Sequence, residues 1–161
     1  MIAVYAGTFD PITRGHVDII GRARLMFDSV VIAVGDNPEK KTLFRVDERV
    51  ELIQRTVFFD ATEKSPLRVV PFRGLLVHFC MSISATVIVR GLRALTDYEY
   101  ELAMAHANRT QAPEIETVFI PTASDLSFVS SSAAKEVAKL GGDCLPFVHP
   151  EVSDALKEKF T

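Results

Sequence analysis

Residues 7–16, Gly-Thr-Phe-Asp-Pro-Ile-Thr-Arg-Gly-His, hold the densest set of groups in this chain that suit phosphate chemistry. Thr8 can turn its hydroxyl and backbone N–H toward a phosphate oxygen. Gly7 and Gly15 let backbone approach a ligand closely. His16 falls where a helix begins, and free N–H groups there favour an anion. Asp10-Pro11 reads as structural, an Asx-type turn ahead of a rigid proline. Three other groups carry the right charge or dipoles. Lys40 and Lys41 stand in a polar loop. Arg90-Gly91-Leu92-Arg93 ends an apolar run, and guanidinium forks suit phosphate oxygens. Leu126-Ser127-Phe128-Val129-Ser130-Ser131-Ser132 feeds a helix, whose first amides and hydroxyls make a second anion cradle. Each group also has a plainer reading. His16 and the serines are caps, the lysines are solvated, the arginines pair with Asp97, Glu99 or Glu101, and Glu101 is a surface carboxylate on a helix.

The elements that must position these groups follow from periodicity. Apolar, β-branched runs at Ile2–Ala6, Val30–Val34, Leu67–Pro71, Thr86–Val89 and Thr117–Pro121 read as buried strands. Between them, Val17, Ile19, Ile20, Ala23, Met26 and Phe27 recur at helical spacing, as do Val50, Ile53, Val57 and Phe58 in a helix from about Asp47 to Phe59. Leu75 to Ser84 reads as an apolar helix with an indistinct end. Thr96-Asp97-Tyr98-Glu99 fits a capping box opening a helix to about Arg109. A further helix runs from about Ser131 to Leu140, closed by Gly141-Gly142, and a last one starts near Pro150. Strands alternating with helices imply parallel strands, right-handed crossovers and a doubly wound α/β sheet. Ligands bind outside the carboxyl ends of such strands, where residues 7–16 and 90–93 lie.

The absences narrow the chemistry. The sequence shows no Walker lysine, G-x-G-x-x-G fingerprint, acid/base carboxylate pair, Ser-His-Asp set or metal-ligand cluster. A phosphate-monoester nucleophile accounts for this, because its second pKa is about 6 and it is mostly a dianion at neutral pH. No general base is needed, only cations and amides that hold two charged phosphates together. The 161 residues suffice for one domain, 1–161, and 48% apolar with 24% charged residues is an ordinary globular balance. A net charge of −3 argues against general nucleic-acid binding or an anionic membrane surface. Cys80 and Cys144 form no CxxC and read as reduced thiols. No leader opens the chain and no apolar run reaches about 18 residues, so the expected location is cytoplasmic.

The decapeptide resembles the nucleotidylyltransferase superfamily motif G-T-F-D-P-x-[HT]-x-G-H. Thr13 at its seventh position, Arg90–Arg93, and Asp97-Tyr98-Glu99-Tyr100-Glu101 resemble the phosphopantetheine adenylyltransferase family. Val129-Ser130-Ser131-Ser132 with Lys135 is similar to the superfamily pattern I-S-S-[ST]-x-x-[RK], with Val for Ile. The resemblance implies a Rossmann-like dinucleotide-binding fold on a five-stranded parallel sheet. It implies transfer of AMP from ATP to 4′-phosphopantetheine, giving dephospho-coenzyme A and pyrophosphate, with Mg²⁺ held mainly by the ATP phosphates, in a homohexamer. It makes His16, Lys40 and Arg93 catalytic. ATP contacts fall on Thr8, Phe9, His16, Gly91, Leu92, Arg93, Glu101 and residues 126–132, and acceptor contacts on Thr8, Lys40, Leu76 and Arg90. Lys41 is near enough to exchange roles with Lys40. Relatives usually place Ser or Thr where Arg45 stands, so that helix start looks less well capped. Two alternatives stay open: a sister enzyme using nicotinamide mononucleotide, a flavin or glycerol phosphate, and a nucleotide-binding module without catalysis.

Overall fold

The computed structural model describes residues 1–57 and 66–161. Its elements are β1 (Ile2–Gly7), α1 (Arg14–Met26), β2 (Ser29–Gly35), α2 (Val46–Val57), β3 (Leu67–Phe72), α3 (Leu76–Ser82), β4 (Val87–Leu92), α4 (Leu95–Gln111), β5 (Glu116–Pro121), α5 (Ser131–Lys139) and α6 (Pro150–Phe160). The expected strands form, and they pair in parallel in the order β3-β2-β1-β4-β5. Phe58 and Phe59, the expected end of α2, lie outside the described residues.

Side chains alternate across each strand and so build a core on both faces of the sheet. Ala3, Tyr5, Val30, Ile32, Val34, Val87 and Val89 pack with α1, α2, α5 and α6. Val4, Ala6, Val31, Ala33 and Ile88 pack with Val77 and Cys80 of α3 and with Ala112 and Ile115 just beyond α4. This is the doubly wound α/β, Rossmann-like arrangement. Cys80 and Cys144 are free thiols, one in each of these two cores. Among the described residues no helix is long and apolar enough to cross a membrane.

Several local readings change. Helix α3 stops at Ser82, because β-branched Ile83 leaves the helix and Ser84 takes a left-handed φ of 57°. Helix α4 begins at Leu95 after Ala94, with no side-chain cap, so Thr96 lies inside the helix and the capping box is not where the pattern put it. The carboxylate of Asp97 is engaged instead by the Arg93 backbone N–H and guanidinium. At α2 the carboxylate of Glu48 accepts from Arg45 N–H at 2.7 Å, which replaces the missing Ser or Thr from the other side of the box. Strand β4 runs on through Leu92, so Arg90 and Gly91 sit in the sheet itself.

Candidate functional site

Strand order reverses around β1, which pairs with β2 on one side and β4 on the other. Connections from neighbouring strands then leave toward opposite faces, and a crevice opens at the strand ends. A cavity of about 330 Å³ lies there. Its floor is Tyr5, Ala6 and Gly7 of β1 with Arg90 and Gly91 of β4. One wall is Thr8, Phe9, Thr13, Gly15, His16 and Ile19; the other is Arg93, Asp97 and Glu101, with Thr122 and Val129–Ser132 closing the end.

The decapeptide folds around one aromatic ring. Phe9 is buried with φ at 49°, a left-handed conformation that costs a non-glycine residue roughly 1–2 kcal/mol. Its ring packs edge-on against Tyr5 at 5.5 Å and His16 at 5.0 Å. A Cβ on Gly7 would meet the tip of that ring at 3.0 Å, so Gly7 admits Phe9 rather than a ligand. Asp10 forms no local Asx turn. Its carboxylate accepts from Leu43 N–H and Phe44 N–H, both at 2.9 Å, and from Lys135 Nζ at 2.7 Å. Burial alone would raise this carboxyl; the Lys135 bond and the two backbone bonds outweigh it and hold it below the usual range. Lys135, in the basic slot of the serine motif, therefore pins α5 to the decapeptide.

His16 is the N3 residue of a real capping box: its Nδ1 accepts from Thr13 N–H at 3.0 Å, and Thr13 Oγ1 accepts from His16 N–H at 3.4 Å. That bond makes Nδ1 the acceptor and leaves the proton on Nε2. Desolvation, then the Arg93 and Arg90 charges, push the ring down to about 4, so it is neutral at physiological pH and presents an N–H donor in the cavity.

Arg90 grips Glu101 side-on, Nε to Oε2 and Nη2 to Oε1, both 2.6 Å, and donates Nη1 to Ala6 O at 2.7 Å. Burial alone would lower this guanidinium, but the Glu101 bonds raise it. Arg93 pairs with Asp97 at 3.1 Å and donates to Val129 O at 3.3 Å, which links β4 to the serine loop. The plainer reading of the two arginines, an ion-pair network, is thus present within the cavity, and each guanidinium keeps N–H groups beyond those its partners use. Ser130 caps α5 by accepting from Ala133 N–H, and Ser131 donates to Pro11 O at 2.7 Å. Ser130, Ser131 and Ser132, at the start of α5, line the end of the cavity.

Lys40 reaches the rim, with Nζ 3.5 Å from Thr8 Oγ1. Leu76 is partly buried and packs against the core on the α3 face of the sheet, outside the lining. Leu92, Leu126, Ser127 and Phe128 also stand outside it; Phe128 is 59% exposed and packs on Phe147. Sequence reasoning gave no role to Tyr5, Thr122 or Arg49. Tyr5 sits on a strand that reads only as apolar, and Thr122 lies one residue past a strand end. Thr13, three residues before His16, did carry a signal: the Ser/Thr of a capping box.

Residues 4–137 match the family model described as cytidylyltransferase-like. The chain is 50% identical over 159 residues to the phosphopantetheine adenylyltransferase of Thermotoga neapolitana, which is 99% of this chain and 96% of that one. Among solved structures, it resembles Plasmodium falciparum nicotinic acid mononucleotide adenylyltransferase complexed with NaAD: TM-score 0.70, 14% identity, 98% of this chain and 94% of that one. A lipopolysaccharide core biosynthesis protein from Thermoplasma volcanium aligns with TM-score 0.54 and 17% identity over 76% of this chain and 96% of that one. At those identities the two structural likenesses concern the fold alone.

Proposed function

The chain belongs to the phosphopantetheine adenylyltransferase family of cytidylyltransferase-like proteins, and from that premise we propose that it transfers the adenylyl group of ATP to 4′-phosphopantetheine. A phosphate oxygen of the acceptor attacks the α-phosphorus in line. The bond from that phosphorus to the bridging oxygen breaks, pyrophosphate leaves, and dephospho-coenzyme A remains. The acceptor phosphate is already largely ionised, so no proton has to be removed first. The observation that carries this reading is the convergence at one sheet crevice of His16, Arg90, Arg93 and the α5 amides, with Lys40 at the rim.

Their roles divide by place. The neutral His16 Nε2–H donates to the α-phosphate oxygens as charge builds there. Lys40, beside Thr8, bridges the two phosphates, and it rather than Lys41 makes the recorded contact with Thr8. Arg90 serves the acceptor phosphate, Arg93 and α5 the ATP phosphates, and Glu101 the nucleotide. Binding then exchanges carboxylate partners of Arg90 and Arg93 for phosphate ones. Mg²⁺ would be held mainly by the ATP phosphates, supplying charge neutralisation there. We place the enzyme in the cytoplasm, as a homohexamer.

Incubation with ATP and each candidate acceptor, followed by pyrophosphate release, tests the proposal. Turnover with 4′-phosphopantetheine should far exceed that with nicotinamide mononucleotide. Equal or better use of the mononucleotide would move the protein to the sister reaction, and ATP binding with no turnover of any acceptor would make it a binding module.

A further inference from the structure

Arg49 is 3% exposed, on the α2 face that otherwise buries Leu52, Ile53, Thr56 and Val57. A guanidinium in that setting needs partners, and those recorded are all backbone carbonyls. Nε donates to Phe44 O at 3.2 Å; Nη1 donates to Thr8 O at 2.6 Å and to Gly35 O at 2.9 Å. These three carbonyls have a pattern. Gly35 ends β2, Phe44 lies just before α2, and the loop between them carries Lys40. Thr8 is the residue whose hydroxyl lies 3.5 Å from Lys40 Nζ. One side chain therefore ties both ends of the lysine loop to the backbone of the residue that Lys40 faces.

We propose that Arg49 is a positioning residue for adenylyl transfer, acting by holding the Lys40 loop and Thr8 in one fixed relation. The inference rests on the function proposed above. Lysine cannot replace it, because a single ammonium lacks the planar fork that reaches three acceptors in different directions. Asp10 supports the same end of the loop from the other side, through Leu43 N–H and Phe44 N–H. A cation poorly placed by an ångström or so can lose on the order of a hundredfold in rate.

The test is a double-mutant cycle with an independent structural readout. Arg49→Lys should lower kcat by on the order of a hundredfold, with KM for ATP changed by less than about threefold. In a Lys40→Ala background the same substitution should cost less than about threefold, since its effect passes through Lys40. Equal fold losses in both backgrounds would overturn the proposal in favour of a general structural role. Hydrogen exchange on the same proteins is read across residues 36–44. Arg49→Lys should accelerate exchange there and leave α6 unchanged; an unaltered loop would overturn the proposal whatever the substrate. If Arg49→Lys does not fold, Arg49→Gln repeats the cycle with a side chain that lacks the three-way fork, and equal fold losses with and without Lys40 would again overturn the proposal. Absence of pyrophosphate release from wild type would instead defeat the proposed function, with the exchange result still deciding the loop.

Discussion

His16 commits Nδ1 to the start of α1 and leaves Nε2–H for the cavity, so replacing it has two separable effects. His16→Ala should lower kcat by roughly 10²–10³, the usual loss for one donor to developing charge. It should also lower Tm by a few degrees, since losing a cap costs about 1 kcal/mol. His16→Gln keeps an N3 acceptor for Thr13 N–H but lacks the opposite ring edge. Its Tm should return toward wild type while kcat stays low. A kcat within about threefold of wild type, under roughly 0.7 kcal/mol, in both variants would leave His16 a cap and nothing more. The ring also makes stability depend on pH. Folded, His16 titrates at about 4; unfolded, it returns to 6.5. Between those values the unfolded chain binds more protons, so this contribution is full above 6.5 and disappears as the pH falls toward 4. The drop in Tm from about pH 7 to about pH 4.5 should accordingly be smaller for His16→Gln than for wild type. At this scale the decapeptide was legible because its residue types are unusual together. Arg49 was not, since nothing in a helical heptad announces that one charged residue turns inward.

Between elements, short polar clamps align what the sheet only brings near. Asp10 joins the decapeptide to α5 through Lys135 and to the start of α2 through Leu43 and Phe44. Glu48 takes Lys159 of α6 at 2.8 Å, and that ammonium also sits over the Phe44 ring. Asp10→Asn should destabilise by about 1.5–3 kcal/mol, the range for a hydrogen bond to a charged group, as read from chemical denaturation. It should also raise KM for ATP, because α5 and its anion-binding amides lose their tie to the decapeptide. If stability falls and KM does not move, the clamp is structural alone. Strands and helices were legible from period because burial on one or both faces writes directly into residue order. Helix starts were legible where a serine cap or an N1 proline marks them, at Ser131 and Pro150, and not at α4. Thr96 has the right neighbours for a cap, yet Ala94 is the N-cap and α4 starts two residues earlier, while Asp97 pairs with Arg93 four residues back, a local alternative that the capping pattern does not rank.

For the molecule as a whole, the alternation of elements implied the doubly wound sheet, and the reversal of strand order around β1 explains why residues distant in sequence meet in one crevice. Subunit number was not legible from periodicity, because a surface destined for a partner and one facing water can share the same pattern. Light scattering should find a species of more than two 17.8 kDa chains, and a lone monomer would count against the hexamer. The two thiols bear on a different property. Cys80 is on the buried face of α3 and Cys144 near α5, on opposite sides of the sheet, and both are 0% exposed. Burial lifts the Cys80 thiol to about 11 and raises Cys144 as well, so neither is reactive in the closed protein. A thiol-specific label therefore reports opening, and mass spectrometry of the labelled peptides reports which layer opened. Helix α3 has seven residues and no side-chain cap, whereas Cys144 is held by Ala134 O. Native conditions should thus label Cys80 first, and the interval between the two labels measures how far the layers of this sheet come apart independently.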